Sequence, residues 1–162
     1  VRCALILATV LSLLGCTKSG SDTSLLSLES LHGQWVVVNY WAQWCAPCIK
    51  EIPELNSLDQ EYAQVTVVGV NYDGKEGQEL ELQRQKLGVT FASLASDPAA
   101  QLGISRPVVL PTTLILDPKG QLVATLIGPQ TFASLAQATQ QDWNEASQQN
   151  KKSRPKGPAE AG

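Results

Sequence analysis

An α/β domain built on a mixed β-sheet, with helices on both faces, is predicted by three features of this 162-residue chain. Residues 36–41 and 65–70 are two continuous apolar runs rich in β-branched side chains, the pattern of strands buried on both faces. The stretch between them carries apolar residues at helical spacing, which makes a β-α-β unit. Later, two more apolar runs flank a four-residue turn and precede a second amphipathic stretch, giving β-β-α. The length fits one domain with a full core.

The elements follow in order. Residues 25–31 predict a short strand and turn, and Gly33 leads into the first long strand. Ile49, Ile52, Leu55, Leu58 and Tyr62 recur every three or four residues and mark one helix face. Pro53 falls inside that helix, where its missing donor and its clash with the preceding turn predict a kink. Residues 76–87 read as a charged surface helix, 89–94 as a short strand and 98–102 as a helical turn. Residues 108–116 and 121–127 are the paired runs, with Pro107 as the entry to the first. Asp117-Pro118-Lys119-Gly120 joins them, with Pro second and Gly fourth as in a β-hairpin turn. Phe132, Leu135, Ala136, Thr139 and Trp143 give the last helix its apolar face.

Chemistry concentrates at Trp44-Cys45-Ala46-Pro47-Cys48, directly after the first long strand. Two cysteines two residues apart can close a small disulfide only if the backbone turns into a helix between them. Pro47 suits a first helical turn, where its fixed φ fits and no N–H is needed. Cys45 then lies at a helix N-terminus, where free amide donors and the helix dipole favour thiolate over thiol. A thiolate beside a second thiol is the minimum machinery of thiol–disulfide exchange. Zinc binding lacks its other half, because the remaining cysteines are Cys3 and Cys16 and the only histidine is His32. A purely structural disulfide would close so short a loop that it stabilises little. No metal and no organic cofactor is implied.

The first 15 residues hold one charge, Arg2, and an apolar stretch too short to span a bilayer as a stable helix, which is the pattern of an export signal. Leu13-Leu14-Gly15-Cys16 resembles the lipobox of bacterial lipoproteins, in which cleavage precedes a lipid-modified cysteine. The expected organisation is a lipoprotein signal peptide over 1–15, a lipidated N-terminus and tether over 16–24, the folded domain over 25–145 and a disordered tail over 146–162. Thr17 is not the Asp associated with inner-membrane retention, which leans the expectation towards the outer membrane. The chain contains no methionine, so Val1 reads either as an alternative start or as a shortened N-terminus. The body is acidic and the basic residues Lys151, Lys152, Arg154 and Lys156 gather in the tail, which argues against a nucleic-acid surface.

The element order together with Trp41-Ala42-Gln43-Trp44-Cys45-Ala46-Pro47-Cys48 resembles the thioredoxin fold. More narrowly, the chain is similar to the TlpA/ResA-like thiol–disulfide oxidoreductases of the bacterial envelope over about residues 25–145. Leu31-His32-Gly33, Val38-Asn39-Tyr40-Trp41, Glu51-Ile52-Pro53 and Leu110-Pro111-Thr112-Thr113 carry that resemblance. The segment after the second strand matches the central insertion of that family only loosely.

The resemblance implies a redox couple of Cys45 and Cys48, and a cis-proline at Pro111. With Leu110, Pro111 would offer a backbone edge to an extended substrate. Asn39 stands where plain thioredoxins have a buried Asp, and an amide cannot shuttle a proton at neutral pH. Glu51, one turn after Cys48, matches a family glutamate and becomes the candidate proton acceptor for Cys48, with a solvated helix residue as the alternative. Trp44 is expected at the rim, shielding the cysteines, and Trp41 in the core. His32 is read as a turn residue. Arg106 is read as solvated, or else as a substrate contact near Pro111.

The function implied is reduction of disulfides in periplasm-facing envelope proteins by a lipid-anchored monomer, re-reduced by a membrane electron donor. The rivals are a thiol oxidase or thiol peroxidase of the same fold, and a non-catalytic module that holds extended clients by strand addition.

Overall fold

The computed structural model describes residues 25–142. Its elements are β1 (Leu25–Leu26), a short 3₁₀ helix (Leu28–Leu31), β2 (Trp35–Trp41), α1 (Ala46–Glu61), β3 (Val65–Asn71), α2 (Gly77–Leu87), β4 (Ala92–Leu94), β5 (Thr112–Leu116), β6 (Leu122–Ile127) and α3 (Phe132–Ala138). They form one six-stranded sheet in the order β1-β4-β3-β2-β5-β6. The β1/β4, β4/β3 and β3/β2 pairs are parallel, and β5 and β6 join antiparallel. The expected signal peptide, Cys16, the tether, Trp143 and the C-terminal tail lie outside the described residues. Among the described residues, no helix is long and apolar enough to cross a membrane.

The two valine-rich runs form the centre. β2 and β3 pair in register from Trp35 opposite Val65 to Trp41 opposite Asn71. Alternation along β2 sends Val37 to one core layer and Val36, Val38 and Tyr40 to the other. The first layer receives Ile52, Leu55 and Leu58 of α1 and Phe132, Leu135 and Ala136 of α3. Trp41 continues this face and meets Leu80 of α2.

All three α-helices therefore pack on one face, which corrects the expectation of helices on both. The path β2-α1-β3-α2-β4 steps along the sheet in one direction, and right-handed crossovers then put α1 and α2 on the same side. The opposite face is covered by Leu28 and Leu31 of the 3₁₀ helix and by Leu102, Ile104 and Leu110 of the β4–β5 connection.

Several boundaries differ from the sequence reading. α1 runs unbroken through Pro53, and its buried stripe is Cys48, Glu51, Ile52, Leu55 and Leu58, leaving Ile49 exposed. β4 begins at Ala92, because Gly88 in the left-handed region (φ 70°) closes α2 and the Val89 amide donates back to the Arg84 carbonyl at 2.9 Å. β5 begins at Thr112, not Val108, so Pro107 lies in a loop rather than at a strand entry. Val108 is 87% exposed and Val109 48%, apolar residues on the surface instead of in the sheet.

The hairpin turn forms as expected. The Gly120 amide donates to the Asp117 carbonyl at 2.8 Å, and Gly120 adopts φ 77°. A side chain there would also strike the His32 imidazole, 2.8 Å from an added Cβ, so His32 belongs to this turn at the end of β2 opposite Cys45. Gly69 of β3 is fixed by packing, since an added Cβ would lie 2.7 Å from Trp41 Nε1.

Candidate active site

Where β2 ends, Ala42, Gln43 and Trp44 turn the chain into α1, with the Cys45 amide donating to the Ala42 carbonyl at 3.1 Å. Cys45 is the N-cap of α1 and Pro47 lies in its first turn, the placement the motif predicted. Cys45 and Cys48 are joined by a disulfide with their Cα atoms 5.3 Å apart. The Cys48 amide donates to Cys45 Sγ at 3.2 Å. That donor and the helix N-terminus would stabilise negative charge on the same sulfur once the bond is reduced. Both cysteines are largely buried, Cys48 (1% exposed) more than Cys45 (4%). Their apolar neighbours are Trp41, Ala42 and Leu80, with Tyr72, Leu87 and Leu110 packed against them.

Glu51 is 1% exposed, on the same stripe of α1 and one turn beyond Cys48. Its Oε1 accepts from Asn39 Nδ2 at 2.7 Å and its Oε2 from the Gln130 amide at 2.8 Å. Burial raises the carboxyl above its ordinary range, and these two bonds only partly oppose the shift. The solvated-glutamate alternative is therefore excluded. Asn39 Nδ2 also donates to Thr113 Oγ1 at 3.0 Å, while Asn39 Oδ1 is buried without a hydrogen-bond partner. Thr113 belongs to the Leu110–Thr113 motif, whereas Gln130 has no sequence signal. Gln130 lies 79 positions from Glu51, on the turn before α3, and no local pattern marks it.

The Leu110–Pro111 peptide is cis. Leu110 packs against the cysteine cluster, so the Pro111 edge and the disulfide adjoin. Trp44 is 66% exposed, at the rim, with its indole N–H shared between both carboxylate oxygens of Asp73 at 3.1 Å. Burial of the cysteines is supplied by the Trp41, Ala42 and Leu80 cluster beneath.

Arg106 is not simply solvated. Its Nε donates to Asp97 at 2.7 Å, its Nη2 to the Tyr72 carbonyl at 2.8 Å, and its guanidinium stacks 4.1 Å from the centre of the Tyr72 ring. Among the described residues, no cluster of His, Cys, Asp and Glu could hold a metal ion.

Comparison with known proteins decides the family. The AhpC/TSA family model matches residues 14–125. The chain belongs to the AhpC/TSA family. Within it, the chain is a thioredoxin-fold, ResA-like thiol–disulfide oxidoreductase. It is 32% identical to the thioredoxin-like protein YneN of Bacillus subtilis over 75% of this chain and 71% of that one. It is 30% identical to the thiol–disulfide oxidoreductase ResA of Bacillus anthracis over 68% of this chain, and spans 64% of ResA. A secreted thiol–disulfide isomerase of Corynebacterium glutamicum superposes with TM-score 0.61 at 28% identity, covering 69% of this chain and 72% of that one.

Proposed function

We propose that this AhpC/TSA-family protein reduces disulfides in envelope proteins on the periplasmic side of a lipid-anchored membrane attachment. The observation that carries the reading is the Cys45–Cys48 disulfide at the N-terminus of α1, adjoining the Pro111 edge.

In the reduced protein, the Cys45 thiolate attacks one sulfur of a client disulfide. A new bond forms between Cys45 and the client, and the other client sulfur leaves as a thiolate that takes up a proton. Cys48 then loses its proton to Glu51 and attacks Cys45 Sγ, closing the Cys45–Cys48 disulfide and releasing the second client thiol. Two electrons pass to the client, and a membrane electron donor must return them. Leu110 and Pro111 hold the extended client segment, and Trp44 forms the rim beside it. The protein works as a monomer tethered through Cys16, with the outer membrane as its site.

A strain lacking the protein tests both direction and tether. Its clients should accumulate as disulfides, and wild-type protein should restore their thiols; accumulation of reduced clients would instead mark an oxidase. In the same strain, Cys16→Ser should move the protein from the membrane to the soluble envelope fraction while its activity on soluble disulfides stays unchanged. Wild-type protein that is already soluble without detergent would refute the tether.

A further inference from the structure

The connection from β4 to β5, residues 95–111, contains only a turn, yet it must present Leu110 and Pro111 at a fixed height beside the disulfide. Its apolar residues Leu102 and Ile104 rest on the sheet. Its polar fixation is a closed circuit of side-chain and main-chain hydrogen bonds. Tyr40, buried at the end of β2, donates its hydroxyl to Asp97 Oδ1 at 2.7 Å, and the Ala99 amide donates to the same oxygen at 3.0 Å. Asp97 Oδ2 accepts from Arg106 Nε at 2.7 Å. Arg106 reaches on to the Tyr72 carbonyl at 2.8 Å and lies over the Tyr72 ring. The Tyr72 amide donates to the Trp41 carbonyl at 2.8 Å, which returns the circuit to the end of β2.

The circuit thus ties both ends of the 97–106 segment to Tyr40 and Trp41, the residues that lead into the Cys45 turn. Arg106 is its keystone, because only a planar guanidinium fork bonds Asp97 and a carbonyl at once while stacking on a ring. The turn after β3 serves the other side of the site too, since Asp73 holds Trp44. That turn is itself fixed by Asn71 Oδ1, which accepts from the Asp73 and Lys75 amides at 3.1 Å each. Burial works against the Asp97 charge, but the bonds from Tyr40, Ala99 and Arg106 hold its carboxyl below the usual carboxylate range. Burial first, and then the same carboxylate, hold the Tyr40 hydroxyl well above the usual phenol range, so at neutral pH Asp97 is ionised and Tyr40 keeps the proton it donates.

We propose that Arg106 and Asp97 are positioning residues that set the Pro111 edge relative to Cys45 Sγ, and so govern reaction with extended protein clients but not with small disulfides. The inference rests on the reductase reading above. A small disulfide such as hydroxyethyl disulfide needs access to Cys45 alone, whereas a protein segment needs the edge in register as well. A displacement of the edge by a fraction of an ångström to an ångström costs reaction geometry.

The test compares wild-type, Arg106→Ala and Asp97→Ala proteins on insulin and on hydroxyethyl disulfide. Each variant should lose roughly tenfold in kcat/KM on insulin, mainly through KM, a loss within the range that misplacement of reacting groups produces. Each should stay within about twofold of wild type on the small disulfide and keep its reduction potential, because neither residue touches the sulfurs. The double variant should be no worse than either single one, as for two parts of one circuit. Arg106→Lys, which keeps the charge without the fork, gives the same comparison should the alanine variant fail to fold. Equal losses on both substrates would mean a general structural role and overturn the proposal, as would unchanged insulin reduction. Loss in Arg106→Ala with none in Asp97→Ala would mean that Arg106 contacts the client itself, which also overturns it. A wild-type protein inactive on insulin would sink the reductase reading instead.

Discussion

Cys48→Ser is expected to accumulate mixed disulfides through Cys45 in the native host, visible as larger species that collapse on reduction, whereas Cys45→Ser should trap far fewer. The asymmetry follows from the helix start. Cys45 is the N-cap, with the Cys48 amide aimed at its sulfur, a placement that favours its thiolate and, on the mechanism proposed above, makes it the first to attack. Cys48 is deeper in the first turn and, in that mechanism, acts second, from within the same molecule. Well-oriented intramolecular attack can reach an effective molarity of about 10⁵ M or more, which no dissolved thiol replaces. Losing Cys48 therefore stalls the exchange at the mixed disulfide without impeding its formation. The trapped protein names the client. Equal trapping by both variants would reverse or abolish the assigned roles.

Glu51→Gln should slow closure of the Cys45–Cys48 disulfide by roughly 10²-fold, at the lower end of what a placed general base contributes. The wild-type closure rate should rise with pH as the Glu51 carboxyl ionises, and the variant should lose that limb. The carboxyl is raised in the fold above its ordinary value of 4.5, so the folded chain holds this proton more tightly than the unfolded one. That contribution is fully present below the ordinary value and is lost as pH rises through the raised folded value. The variant should therefore show a flatter fall in stability between acid and neutral pH. Its fold should survive, because the new amide can accept from the Gln130 amide while donating to Asn39 Oδ1 once that amide turns over, an oxygen now buried and unpartnered. Closure rates identical to wild type from pH 6 to 8, measured by stopped-flow quenching, would remove Glu51 from the mechanism.

What the sequence made legible was local. The two cysteines, Pro47 and the preceding strand are adjacent in the chain, and a helix N-cap is specified within a few residues. Glu51 was readable as a neighbour of Cys48 because i and i+3 share a helix face. Its burial was less so, since it depends on Asn39 and on Gln130 arriving from another part of the chain. The helical faces differ from the expectation because strand runs do not reveal on which side of β3 the next strand lies. With β4 placed beyond β3, crossover handedness decides the rest. Residues 108–110 have the composition of a strand, but Pro111 carries no amide donor and ordered pairing starts only at Thr112. Arg106 looked like a solvated charge because its partners, Asp97 and Tyr72, lie 9 and 34 positions away.

A single-turnover reaction of the fully reduced protein with excess oxidised insulin and no other reductant, with thiols counted by mass after acid quenching, tests disulfide reduction by the Cys45/Cys48 couple. One insulin disulfide should open per protein molecule, and the Cys45–Cys48 disulfide should appear in equal amount, after a transient adduct on Cys45. Insulin thiols appearing without that disulfide, or no insulin thiols at all, would mean that Cys45 and Cys48 are not a reducing couple.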